Sequence, residues 1–246
     1  MAKKINFINE FRKYLYTIYQ HEGISTQETE MCLNSFAKYL LSLKGINLNQ
    51  DKFVIHKVKP SYFSANQTAK MEHENGKFDI YLNKDCFKIT NIEELEIILS
   101  IFISCAHEVQ HVIQYIKAPH MMKKYDDKLC DLKLKVAMTK AGKKSRTDRK
   151  FIKKLTKLYE DNLAVSSIEL NATFRAYQNF LELLYTLKDM EKNKSFANFI
   201  DLVIDQVEFL ESLDYNSDNL ALEEAQKNVD NLVNNHDQNP KTTTIF

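Results

Sequence analysis

A chain of 246 residues can bury one sizeable core or two small ones. Its 44% hydrophobic and 27% charged residues are ordinary for a globular protein, and only 4 Gly and 3 Pro argue against a turn-rich all-β fold and for long helices. The 34 basic and 33 acidic residues leave a formal charge of +1, so no global pull toward nucleic acid or membrane is expected.

Residues 5–20 place Ile5, Phe7, Ile8, Phe11, Tyr14, Leu15 and Ile18 at helical spacing. Glu10, Arg12 and Lys13 interrupt this stretch, which lacks the continuous apolar core and cleavage site of a signal peptide. A second helix follows His21–Gly23, with Ser25 as N-cap, Glu28 completing a capping box, and Gly45 near its end. The period then changes to that of a strand from Phe53, ended by Pro60. In TAKMEHENGKFDIYLN, Asn75–Gly76 stands between two strand-like runs and predicts a hairpin, because a tight turn needs positive φ at both central residues.

From Asn91 the chain reads as helical. Asn91 with Glu94 predicts a capping box opening a long helix to about Lys117, with Pro119 at its exit. The run Leu95 to Ala106 contains Glu96 and is too short to span a bilayer. Residues 121–160 are lysine-rich, and the stretch KAGKKSRTDRK reads as a solvated face, since acidic residues flank it. Further helices are expected at 162–190, 195–213 and 217–235, with a disordered tail from Asn234. Cys32, Cys86, Cys105 and Cys130 form no CxxC pair; Cys105 reads as a small buried residue, and the pattern fits a reduced, cytoplasmic setting.

The chemistry is concentrated in ILSIFISCAHEVQHVIQYI. His107 and His111 are four apart, so on a helix they share a face one turn apart and can bind one ion. Glu108, turned by roughly 100° from His107, sits beside that ion. There it can take a proton from water that zinc has acidified toward a pKa of about 7. Two imidazoles and a carboxylate in so apolar a helix are costly without a partner such as a metal, and Zn2+ is the expected cofactor.

A catalytic zinc needs a third protein ligand and an open position. The extended HExxHxxGxxH pattern fails, with Gln114 at its Gly and Lys117 at its third His; His120 follows Pro119, where the helix has ended. Glu169, in SSIELNATFRAYQNF, is the better candidate. Val165, Ala172, Thr173, Ala176 and Phe180 fall on its side, and a face of small residues is what close approach of two helices around an ion requires.

HEVQH followed some tens of residues later by ELNATFRA resembles the zincin metallopeptidases of the gluzincin type, and is similar to compact bacterial and phage-encoded members. The resemblance implies an α+β, predominantly helical fold with a small antiparallel sheet beside the HExxH helix, the strand FDIYLN forming the sheet edge that holds an extended protein or peptide substrate. It implies His107, His111 and Glu169 as zinc ligands and Glu108 as general base. The family often has an acid two positions after the ligand Glu, where this chain has Asn171. That orienting task is absent, taken by Asn171, or filled by a residue such as Glu160 or Asp161. Arg175, Tyr177 and Tyr185 are oxyanion candidates. The expected organisation is an N-terminal helical segment at 1–50, a zincin-like core at 51–190, C-terminal helices packed on it at 191–233, and a tail at 234–246. The expected activity is zinc-dependent peptide hydrolysis, with a non-catalytic zinc-containing interaction module as the alternative.

Overall fold

A computed structural model describes residues 2–20, 22–63, 68–87, 95–127 and 167–214. The Asn91–Glu94 box, the KAGKKSRTDRK stretch, Cys130, Glu160, Asp161, Val165, the helix expected at 217–235 and the tail from Asn234 lie outside the described residues. Among those residues the chain is mostly helical with one three-stranded sheet: α1 (Ala2–Tyr19), α2 (Thr26–Leu43), β1 (Phe53–Val58), β2 (Ala69–Glu74), β3 (Lys77–Asn83), α3 (Leu95–Lys117), α4 (119–127), α5 (Ser167–Met190) and α6 (194–214).

Local chemistry fixes the ends of these elements. Glu28 N–H donates to Ser25 Oγ at 3.2 Å and Ser25 N–H donates to Glu28 Oε2 at 2.8 Å, the reciprocal box that satisfies two orphan donors of α2. At the other end Gly45, at φ 72°, lets Gly45 N–H reach Ser42 O and Ile46 N–H reach Leu41 O, closing the helix. Asn75 and Gly76, at φ 51° and 76°, make the turn between β2 and β3. Helix α3 stops at Lys117, and Pro119 opens α4, where its missing N–H costs nothing.

The sheet differs from the expected one in two respects. It is mixed, because β1 runs parallel to β3 while β2 runs antiparallel to it. The strand FDIYLN is its centre and not its edge: the order is β1-β3-β2. The hairpin signal reveals only the neighbour across the turn. The partner on the other side arrives through a connection that crosses to the far edge, which no local pattern encodes. Phe78, Ile80 and Leu82 point inward from β3, and α3 packs against β2 and β3.

Two compact units divide the chain, Met1–Met122 with Asn171–Leu210, and Lys123–Leu170 with Glu211–Phe246. The described residues of the second unit are 123–127, 167–170 and 211–214. In the first unit α1, α2, α3 and α5 each send one phenylalanine to a common point. Phe11, Phe36, Phe102 and Phe180 are almost fully buried, with ring centroids 5.4–5.9 Å apart in the pairs Phe11–Phe102, Phe11–Phe180, Phe36–Phe102, Phe36–Phe180 and Phe102–Phe180. Each buried ring contributes about 1.5–3 kcal/mol from burial, and edge-to-face pairing adds to it. This cluster fixes α3 and α5 against each other one to two turns below His107. Residues of α6, from Phe196 to Val207, join the same core.

Helix α3 is long and apolar enough to cross a bilayer by length and composition, but 72% of that window is buried within the fold. Its apolar surface is used internally. Cys32 and Cys105 are buried free thiols, the latter as expected.

Candidate metal centre

Helix α3 is buried nearly all round, and it carries His107 half-buried and His111 at 7% exposure. The i, i+4 spacing brings their rings edge to face at 4.7 Å, with the two Nε2 atoms 3.0 Å apart. Two nitrogens each about 2.05 Å from one zinc at the tetrahedral angle lie about 3.3 Å apart, so the pair is pre-set close to ligating geometry.

Helix α5 is held beside them within the first unit. Asn171 Oδ1 accepts from Gln110 Nε2 at 3.3 Å and from Gln114 Nε2 at 3.1 Å, and Thr173 Oγ1 lies 3.3 Å from His107 Nδ1. Ala172 and Ala176 are fully buried on this face, as the small-residue pattern requires, and Phe180 anchors it further along. Glu169 stands two residues before Asn171 on the same unbroken helix. His107, His111 and Glu169 each offer one ligand atom, all within 4.8 Å of one another. Among the described residues no other cluster of His, Cys, Asp or Glu converges in this way, and exposed His120 takes no part.

Two imidazoles and one carboxylate are a donor set that suits zinc, and among the described residues these three protein donors leave a coordination position for water or substrate. The second nitrogens are engaged as well. His111 Nδ1 meets Gln114 Oε1 at 2.8 Å, and His107 Nδ1 meets the Thr173 hydroxyl. Such contacts orient ligand imidazoles and choose which nitrogen faces the ion. Glu108 is buried at 8% exposure and is not a member of the converging triad. Burial, with the Glu108 carboxylate adding, pushes the Cys105 thiol up, and this sulfur is not among the converging ligand atoms.

The structure distributes the remaining candidates differently from one another. Asn171 touches neither histidine directly; it bonds the two glutamines of α3. Arg175 Nη1 donates to Gln178 on its own helix, and its guanidinium lies over Phe174. Tyr177 is 4% exposed and packs in the core. Tyr185, about 24 Å along the helix from Glu169 at 1.5 Å per residue, donates to Glu208 on α6 at 2.6 Å. Three residues were not assigned to these contacts from sequence: Gln114, Thr173 and Tyr125, whose hydroxyl donates to Glu169 Oε1 at 2.5 Å. Gln114 stands three residues after His111, and that spacing was a usable signal. Nothing local pointed to Tyr125.

No family model, curated protein or solved structure matches the chain.

Proposed function

We propose that this chain is a zinc-dependent metallopeptidase of the zincin type, acting on a protein or peptide substrate in the cytoplasm. The observation that carries the proposal is the convergence of His107, His111 and Glu169 to within 4.8 Å from two helices. His107, His111 and Glu169 would hold the ion. When bound, zinc supplies Lewis acidity and brings the pKa of water toward about 7.

The chain's own residues supply the rest. Glu108, next to a ligand and outside the ligand set, accepts a proton from the attacking water and returns it to the leaving amine. Gln114 and Thr173 hold the imidazoles by their Nδ1 atoms, and Tyr125 orients the Glu169 carboxylate. The apolar wall of α3 keeps bulk water from the buried side of the centre. With β3 internal to the sheet, the edge offered to an extended peptide beside α3 is β2. Among the described residues three protein donors converge, and the coordination position they leave supports catalysis over a closed structural site.

Glu108→Gln tests the assignment. It should keep zinc and lower hydrolysis of unstructured peptides by about 10²–10⁴-fold or more. Loss of zinc would make Glu108 a ligand. Undiminished hydrolysis would remove it as the base, and zinc retention with no hydrolysis by the wild type would favour a non-catalytic zinc-containing interaction module.

A further inference from the structure

The side chains around His111 form a chain of matched donors and acceptors. His111 Nδ1 faces Gln114 Oε1 at 2.8 Å, Gln114 Nε2 faces Asn171 Oδ1 at 3.1 Å, and the same Oδ1 accepts from Gln110 Nε2 at 3.3 Å. Each amide has one accepting and one donating end, so the direction of one bond dictates the next.

We propose that Gln114 and Asn171 are positioning residues that set the tautomer of His111, Asn171 holding the Gln114 amide so that its oxygen, and not its nitrogen, meets the imidazole. The proposal rests on the metal reading above. With the Asn171 oxygen accepting from both glutamines, Gln114 Oε1 is left to face His111. Nδ1 then carries the proton, and Nε2 presents its lone pair on the side of His107, whose Nε2 lies 3.0 Å away. The reversed network is also self-consistent: Asn171 Nδ2 would donate to both glutamines and Gln114 Nε2 would donate to Nδ1. It would put the His111 proton on Nε2 and leave that nitrogen unable to ligate. Asn171 is therefore the point where a choice on α5 becomes a choice of tautomer on α3.

The two histidines differ in this respect. The Thr173 hydroxyl at 3.3 Å from His107 Nδ1 donates or accepts equally well, so His107 takes whichever tautomer the centre demands. His111 is pre-set and His107 adapts. The relay is also uncharged. Neutral amide acceptors raise imidazole basicity less than a carboxylate does, and Glu169 remains the one carboxylate of the converging triad.

Three variants of the full chain separate this role from packing: Gln114→Met, Asn171→Leu and Asn171→Asp. The measurements are zinc affinity, by competition with a chromophoric chelator, and the imidazole ¹⁵N spectrum of metal-free protein. Aspartate at 171 can only accept, so Asn171→Asp should keep the His111 proton on Nδ1 and bind zinc at least as tightly as the wild type. Gln114→Met and Asn171→Leu should move the His111 ¹⁵N shifts toward a mixed tautomer and weaken zinc binding about 10–100-fold. Wild-type affinity with an unchanged His111 spectrum in Gln114→Met would reduce Gln114 to a packing residue and overturn the proposal. Weaker binding in Asn171→Asp would reverse the direction of the relay. A wild type that binds no zinc would instead remove the metal reading, and the proposal with it.

Discussion

The close approach of α5 to α3 is the structural condition for the centre, and Ala172 is where it can be pried apart. Ala172 is fully buried, and its neighbours Asn171 and Thr173 reach Gln110, Gln114 and His107 over 3.1–3.3 Å. Ala172→Leu adds three carbon atoms where no exposed surface can receive them. Overpacking of this kind costs about 1–3 kcal/mol. At about 2–4 °C per kcal/mol for a chain of this size, the melting temperature should fall by roughly 2–12 °C. The added bulk also displaces the first turns of α5, lengthening bonds that are already near the limit of hydrogen bonding, so zinc affinity should fall by about tenfold or more. Ala176→Leu is the control. It is equally buried and one turn further on, about 10.5 Å along the helix from Glu169. It should lose similar stability and, by distance, much less zinc affinity. Differential scanning calorimetry and chelator competition read the two quantities. If Ala172→Leu melts and binds zinc like the wild type, α5 does not approach α3 at this point and the account of the small-residue face is wrong.

Two further perturbations probe other contacts. Tyr125→Phe removes the hydroxyl that donates to Glu169 at 2.5 Å. A hydrogen bond to a charged group contributes about 1.5–3 kcal/mol, so zinc affinity should drop roughly tenfold or more; an unchanged affinity would show that Tyr125 does not orient the ligand. Glu191 accepts from Arg12 Nε at 2.7 Å and from the backbone N–H groups of Lys192 and Asn193, and the Arg12 bond foremost holds its carboxyl below the usual value. A lowered folded-state pKa stabilises above the unfolded value near 4.3, and that contribution is lost as pH falls through the folded pKa. Glu191→Gln should therefore be less stable than the wild type by about 1 kcal/mol at pH 7, discounted for the part-exposed arginine, with the gap closing below about pH 4. Denaturant melts at pH 7 and pH 3 check this, and a gap independent of pH would refute the charge argument.

How far the fold and site were legible follows from how local each cause is. Ser25 and Glu28, Asn75 and Gly76, and His107 and His111 act on partners within four residues, and each appears in the structure as its spacing dictates. Glu169 is 58 residues from His111, yet it could be singled out because Ala172 and Ala176 mark a face built for close approach. The sheet order was not legible, since the parallel neighbour of β3 comes from a strand joined to it only through β2. Arg175 and Tyr185 could be named as candidates only by residue type. Their actual partners, Gln178 one turn along and Glu208 on α6, compete locally for the same donors. The contacts of Gln114 and Thr173 depend on the distance between two helices, a quantity set by Phe102, Phe180 and the alanines together rather than by any one of them.

Zinc content measured by mass spectrometry, on protein purified without chelator, bears most directly on the centre. Wild type should carry about one zinc per chain, while His107→Ala, His111→Ala and Glu169→Ala should each lose most of it. A wild type without zinc, or a His107→Ala variant that keeps its full complement, would contradict the assignment of these three side chains to one ion.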